Sequence, residues 1–380
     1  MKILHIAPNA PYNNYWGYQE NLLPKYQRKL GHDVTLIVTN TEHCDGKICE
    51  IACTRYDLND GEHIIRSRIN KTGIKSIDKS RAYIPVYNEL LIIQPDFVFF
   101  HGLISSTIFD VIKYKKQHKD CIIVQDNHLD YNIGIRYNGI VRSYFRWKNK
   151  LSIKYVDKVY GVTPWRKKYA EDYFGIPCNK TDVLLMGADD EKINFTDKEQ
   201  IRRNIRNKYF VRENDFLIVT GGKIDKNKNI DLLMEACVGR PHTKLLVFGS
   251  VSDELKDKVS SLIENDNIIY IGWINADDVY NYFLAADLVM FPGQHSVLWE
   301  QACASKVPCV FKEWEGMDHV NNGGNSDFIA HVTVDSIANK INELEYTDKY
   351  FEMKTIAESN NTDIYLYSKI AEKSLECLKN

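Results

Sequence analysis

Along this chain, short and continuously apolar runs alternate with longer stretches in which apolar residues return every three or four positions. In the first half the runs are KILHIAP, DVTLIVT, DFVFFHG, CIIVQDNH, KVYGVTP and DVLLMG; in the second they are DFLIVTGG, KLLVFGS, IIYIGW, DLVMFPG and VPCVFK. A strand with one wet face alternates polar and apolar residues, whereas a strand covered on both faces does not. The runs therefore predict buried parallel strands, and the helix-length stretches between them predict crossovers. That is an α/β protein with two Rossmann-like, doubly wound sheets in series. The polar segment GADDEKINFTDKEQ after Gly187 is the natural linker, setting a first domain over 1–187 and a second over 188–360. A last helical pattern, TDIYLYSKIAEKSLECLK, is expected to pack residues 361–380 back on the first domain.

Composition narrows the class. With 380 residues, 44% of them hydrophobic and 26% charged, the chain suits two ordinary globular cores. The opening MKILHIAPNAPYNNYW is too short in its apolar part for a signal peptide, and no run reaches the roughly 18 apolar residues of a membrane span. The expectation is a cytoplasmic protein, or one held peripherally on the inner face of the membrane. Nine scattered cysteines suggest reduced thiols. The cluster His43, Cys44, Cys49 and Cys53 fits no zinc spacing and reads as structural.

Charge adds an asymmetry. Through Gly187 there are 27 Lys and Arg against 19 Asp and Glu, net +8; the remainder holds 22 against 32, net -10. A basic first domain suits an anionic surface or a phosphorylated acceptor. The stretch Val141 to Tyr155 interleaves Arg142, Arg146, Lys148, Lys150 and Lys154 with Tyr144, Phe145 and Trp147, as a contact with anionic membrane would. A partly buried helix with a solvated basic edge would look the same.

In doubly wound sheets, ligands sit at the carboxyl ends of strands. The residues that close the apolar runs are accordingly the candidates: Pro8 to Gly17, His101-Gly102, Asp126 with His128, Gly222 to Lys228, Gly249-Ser250, and Pro292 to Glu300. In GGKIDKNKNIDLLMEA a Gly-Gly turn is followed by Lys223 and Lys228 before a helical pattern starts at Ile230. Taken alone, a lysine-rich turn is a solvated surface feature.

Taken in order, these stretches resemble the family 4 retaining glycosyltransferases of GT-B architecture, over nearly the whole chain. MKILHIAPN with GYQENLLPKYQRKLGHDVTLIVT is similar to the family's first strand, glycine loop, helix and Gly-His-x-Val strand. PDFVFFHG and VQDNH resemble its two strand-end histidine sites, VDKVYGVTPWRKKYAEDYFGI with VLLMGAD its domain-closing segment, and GGKIDKNKNIDLLMEA its donor motif. IIYIGW, YFLAADLVMFPG and WEQACASKVPCV complete the order. The resemblance implies two domains facing a central cleft. A sugar would pass from a nucleotide-diphosphate sugar, UDP-sugar favoured, to a hydroxyl of a glycan or lipid-linked acceptor in capsule or O-antigen assembly.

The resemblance also carries roles. Lys223 stands where the family has arginine and Lys228 matches its lysine, so both are expected at the diphosphate, with a point charge replacing a bidentate fork at Lys223. The family's two glutamates lie eight positions apart. Counting back seven residues from Pro308 places the second on Gln301, beside the carboxylate of Glu300, and the first on Gly293. Either Glu300 or Gln301 is then expected at the ribose hydroxyls, Glu300 preferred because a carboxylate accepts from both. Backbone near Ser296 and Val297 is expected at phosphate. Gly17, Gly222, Gly249 and Trp273 complete the donor set. His128 matches the histidine that contacts the transferred sugar, while Trp16, His101 and Asp126 are assigned to the acceptor. His128 occupies the second place of an Asp-x-Asp metal motif, so no obligatory metal or other cofactor is expected. Two other readings differ by simple observables. A nucleotide-sugar 2-epimerase would release free sugar, and a two-domain solute-binding protein should carry a signal peptide.

Overall fold

The continuous apolar runs become strands covered on both faces in a computed structural model that describes residues 1–14, 16–44, 47–70, 83–131 and 139–378. Two units are distinct: Met1–Leu185 with Ile370–Asn380, and Met186–Lys369. The division thus falls after Leu185. Residues 361–369, expected with the last helix on the first domain, belong to the second unit instead. There the 3-10 segment Asn360–Tyr365 precedes the helix Tyr367–Ser374, and Ala188 bridges to Leu366.

The first unit is built on β1 (Lys2–Ala7), β2 (Asp33–Thr39), β5 (Arg55–Asp57), β6 (His63–Ser67), β7 (Phe97–Phe100), β8 (Ile122–Asn127), β9 (Lys158–Gly161) and β10 (Thr181–Val183). Their order is β10-β9-β8-β7-β1-β2-β6-β5, parallel except where β5 meets β6. A separate antiparallel pair joins β3 (Thr41–Cys44) to β4 (Lys47–Glu50). In the second unit β11 (Phe216–Gly221), β12 (Thr243–Phe248), β13 (Ile268–Tyr270), β14 (Leu288–Phe291), β15 (Cys309–Lys312) and β16 (Ser326–Ile329) form an all-parallel sheet, ordered β13-β12-β11-β14-β15-β16. Of the strands missed from sequence, β3, β4 and β5 are short and mostly half-buried or exposed, while β6 and β16 hold only two adjacent apolar residues each, Ile64–Ile65 and Phe328–Ile329, and lack the continuous apolar run that marks the others.

Side chains on one face of the first sheet, among them Leu4, Ile6, Val98, Phe100, Ile123 and Val159, pack with Val111, Phe145 and Phe174 from the helices over it. The second core gathers Ile218, Leu245, Val247, Met290 and Val310 with Leu233, Ile337 and Ile341. Local signals agree with these elements. Thr163 accepts from Arg166 N at the start of the helix Pro164–Phe174, with proline in its first turn, and Gly175 closes it at φ 71°.

Two charged groups inside the cores, Asp287 and Lys148, are paired. Asp287 takes Arg202 at 2.5 Å, Arg206 at 3.1 Å and the Leu217 N–H at 2.8 Å. Lys148, expected among surface cations, is instead fully buried in the helix Gly139–Ser152, donating to Leu103 O at 2.8 Å and Ser105 O at 3.2 Å. Helical periodicity turns this position inward beside Phe145, and burial pulls its ammonium down to about 7. All nine cysteines are free thiols.

At the carboxyl edge of the second sheet two backbones nearly touch. A Cβ on Gly249, at φ +120°, would lie 1.8 Å from Gly222 O, whereas Gly239, at φ +73°, has open space around it. Gly239→Ala should therefore carry only the left-handed penalty of about 1–2 kcal/mol. Gly249→Ala should destabilise the second unit by clearly more, as read from paired chemical denaturation curves. Equal losses would mean that the Gly222–Gly249 approach is not a constraint.

Candidate functional site

In the first unit the ends of β1, β7 and β8 open on a pocket of about 330 Å³. Its walls include Tyr12, Trp16, Tyr18 and His43, with Glu20, Asn21, His101 and His128 among the polar lining, and among the described residues no lysine or arginine takes part. Trp16 lies 5.0 Å from the Tyr18 ring and 5.4 Å from His43. The expected residues Trp16, His101 and His128 thus come together. Gly17 stands beside Trp16 but does not line the pocket.

Asp126 does not face the pocket as an acceptor residue would. It is fully buried, taking the Gly102 N–H at 2.7 Å on one oxygen, and His101 Nδ1 at 2.8 Å and His128 Nε2 at 3.3 Å on the other. Burial pushes this carboxyl up, but the two histidines pull it further down, below the usual carboxylate range. His128, with 34% of its side chain exposed, is in turn raised: burial opposes the charge, and Asp126 outweighs it. Behind His101, its Nε2 meets His5 Nδ1 at 3.1 Å, and His5 Nε2 meets Gln27 Oε1 at 2.6 Å. Gln27 Nε2 donates to Ser374 Oγ at 2.8 Å. His5 and Gln27 were not among the sequence candidates. The one available signal was a histidine inside the apolar run KILHIAP, since a polar side chain in a buried strand needs a partner.

In the second unit β11 ends at Gly221, and Gly222 turns at φ 105°, leaving Lys223 with 68% of its side chain exposed and only a 3.6 Å contact to Asp225. Lys228 differs. Its Nζ donates to Gln294 O at 2.6 Å and lies 3.4 Å from His295 O, so it ties down the loop after β14, and burial lowers its ammonium. Gly293 packs on the Lys228 backbone, where a Cβ would lie 2.3 Å away. Ser296 and Val297 are half-buried just ahead of the helix Leu298–Ala304, and Trp273 is 72% exposed.

Glu300 does not present an open carboxylate for a ribose. Its side chain is 0% exposed, and Oε1 receives His295 Nε2 at 2.8 Å and His319 Nε2 at 2.7 Å. Oε2 has no hydrogen-bond partner among the described residues. The first turn of the helix points inward here, so a residue one position before Gln301 falls in the core; Gln301 itself is 8% exposed. His319 was missed, because it lies 19 residues further on in GMDHVNNGGN with no motif to mark it. Buried Asn325 closes its loop, donating to Val320 O at 3.1 Å and accepting from Asn322 N at 2.6 Å.

Two groups of side chains could each gather round a cation: Glu20 with His101 and His128, and His295 with Glu300 and His319. In the first, both ring nitrogens of His101 are already engaged by His5 and Asp126. In the second, ligation would require both Nε2 atoms to give up the protons that now bind Glu300.

Residues 201–360 match the family model described as Glycosyl transferases group 1. An uncharacterized glycosyltransferase of Methanocaldococcus jannaschii is 26% identical over 176 residues, 43% of this chain and 45% of that protein. An uncharacterized 41.2 kDa protein in the cps region of Klebsiella pneumoniae is 26% identical over 163 residues, 41% of this chain and 42% of that protein. The match therefore spans less than half the length of these relatives. Among solved structures, a glycosyltransferase of Rickettsia africae ESF-5 superposes with TM-score 0.72 at 15% identity, covering 100% of this chain and 99% of that one. HepE of Anabaena in complex with UDP superposes with TM-score 0.68 at 15% identity, covering 100% of both chains. The chain thus has the GT-B fold, and its residues 201–360 match the Glycosyl transferases group 1 family model.

Proposed function

We propose that the chain transfers a sugar, with retention, from a nucleotide-diphosphate sugar to a hydroxyl of a glycan or lipid-linked acceptor in surface polysaccharide assembly. The observation that carries this reading is the carboxyl edge of the second sheet, where the exposed Lys223 follows bare Gly222 backbone within the matched family region. UDP is the favoured nucleotide because a protein of the same fold holds it, and the cps-region relative supports the polysaccharide role.

In this reaction the bond from the anomeric carbon to the diphosphate oxygen breaks. The acceptor oxygen bonds to that carbon on the vacated face, and its proton passes to the leaving phosphate oxygen. Lys223 and backbone N–H groups meet the charge that grows on the diphosphate, so the step requires neither a protein nucleophile nor a metal. Lys228 acts by holding the 293–295 backbone in place. Among the described residues the first-unit pocket offers aromatic faces and Asn, Glu and His side chains without a lysine or arginine, which suits the sugar portion of an acceptor better than its phosphate.

No helix among the described residues is long and apolar enough to cross a membrane. Peripheral docking stays part of the proposal on a smaller surface than the sequence suggests. Lys148 is buried, which leaves exposed Arg142, Arg146, Trp147, Lys150, Leu151 and Lys154 as the contacting set, the two arginines also donating to Asp172 O at 3.0 Å. Replacing Trp147, Lys150 and Lys154 together should lower co-sedimentation with anionic vesicles, and added salt should do the same to the parent. Equal binding by both would leave a soluble acceptor.

Calorimetry with UDP tests the donor site. Lys223→Ala should weaken binding by about 1.5–3 kcal/mol without loss of stability, the range for hydrogen bonds to charged groups. Lys228→Ala should weaken binding and also destabilise the second unit. Unchanged affinity in both would remove the assignment. Incubation with a panel of nucleotide sugars, followed by product analysis, separates transfer from the 2-epimerase reaction, which leaves a free sugar and no new linkage.

Glu300 gives this site a signature in acid. Burial pushes its carboxyl up, but His295 and His319 pull it further down, to about 2 from an ordinary 4.5. A depressed carboxyl contributes stability that is fully present above its unfolded pKa and is lost as pH falls through the folded one. The contribution is on the order of 3 kcal/mol. Glu300→Gln should therefore be less stable than the parent at neutral pH, and the gap should narrow below about pH 4.5. A gap constant with pH would show that Glu300 is not held ionised between the two histidines.

A further inference from the structure

The string of polar groups behind the first-unit pocket has a direction, and it starts at the chain's last helix. Ser374 Oγ lies 2.7 Å from Ala371 O, and a carbonyl cannot donate, so the hydroxyl proton is committed there. Ser374 can then only accept from Gln27, which turns the amide NH₂ towards Ser374 and the amide oxygen towards His5. An amide oxygen accepts, so His5 Nε2 carries hydrogen. His5 is fully buried, and burial, helped by His101, holds it neutral with its pKa down to about 3. Its Nδ1 is therefore bare, and the partner at 3.1 Å, His101 Nε2, must donate to it. At the other side of the ring, His101 Nδ1 faces the Asp126 carboxylate at 2.8 Å and must donate there too.

We propose that Ser374 acts through Gln27 and His5 to hold His101 doubly protonated, as an imidazolium paired with Asp126, and so fixes the Nε2–H of His128 on the same carboxylate. Reversing one end reverses the rest. With Ser374 turned onto Gln27 and the amide flipped, Gln27 would donate to His5, His5 Nδ1–H to His101, and His101 would be neutral. The Ser374–Ala371 bond selects between the two arrangements.

Electrostatics favours the charged one. Asp126 is fully buried, and a buried carboxylate without a counter-charge is far costlier than a paired one. The titratable groups around His101 are His5 from β1, Asp126 from β8, His128 just beyond it, and Glu20 from the helix Gln19–Lys29. Among the described residues the pocket lining holds no lysine or arginine, so the counter-charges at Asp126 are the imidazoles of His101 and His128, the latter also facing the charge of Arg166 from the helix Pro164–Phe174. Ser374, Gln27, His5 and His101 are then positioning residues for His128.

The role of His128 towards substrate rests on the transferase reading; the protonation of His101 does not. It can be observed by long-range ¹H–¹⁵N correlation on the full chain labelled at histidine, with His101→Gln supplying the assignment. The expected spectrum has hydrogen on both ring nitrogens of His101, one directed at His5 and one at Asp126. Ser374→Ala removes the acceptor that orients Gln27, so the His101 Nε2 resonance should move towards the bare-nitrogen position. Ser374→Thr, which keeps the hydroxyl, should leave it in place. A bare nitrogen on His101 in the parent, or an unmoved resonance in Ser374→Ala, would overturn the inference. In turnover assays Ser374→Ala should shift the pH profile while UDP affinity stays at the parent value, and an unshifted profile would remove the link to His128. A parent chain that binds no nucleotide would sink the transferase reading alone, and the spectrum would still decide this one.

Discussion

A parallel strand buried on both faces leaves one place for a side chain that must meet a ligand, and that is its carboxyl end. Both sheets obey this constraint, and the candidate chemistry follows from it. His101 and His128 stand at the ends of β7 and β8, Lys223 follows β11, and Gly249 follows β12. The strand interiors supply rigidity, and the edge supplies backbone N–H groups and polar side chains in fixed positions.

The constraint also makes buried polar residues expensive, and the protein meets that cost by clustering them. Asp126 is enclosed by two histidines and a backbone N–H, and Glu300 by two histidines. The two clusters are alike in kind, since each places a fully buried carboxylate under a pair of imidazoles. In the first, the outer imidazole of His128 reaches the pocket, so a charge set deep in the core is felt at its surface.

Much of this was legible beforehand. The continuous apolar runs locate every strand of both sheets except β5, β6 and β16, and the resemblance carried by GGKIDKNKNIDLLMEA lies within the region that matches the family. A strand that escaped, β16, is four residues at an edge in which two polar positions precede Phe328 and Ile329, too short to show a period. Lys148 escaped for a related reason: a cation among aromatic residues suggests a wet interface, and only the helix phase shows it pointing inward.

The sequence by itself determined the two-sheet α/β class, the positions of the glycine turns and the residues that end each strand, because these depend on period and on backbone freedom that each residue carries locally. Only the tertiary structure decided which of those residues are open and which are enclosed. Glu300 and Gln301 are neighbours in sequence, yet Glu300 falls between His295 and His319 because a loop and a segment 19 residues away converge on it. Likewise Ser374 meets Gln27 across 347 residues. Such partners have no local signature, since a hydrogen bond between distant segments is set by how the sheets and helices pack and not by the spacing of residues along the chain.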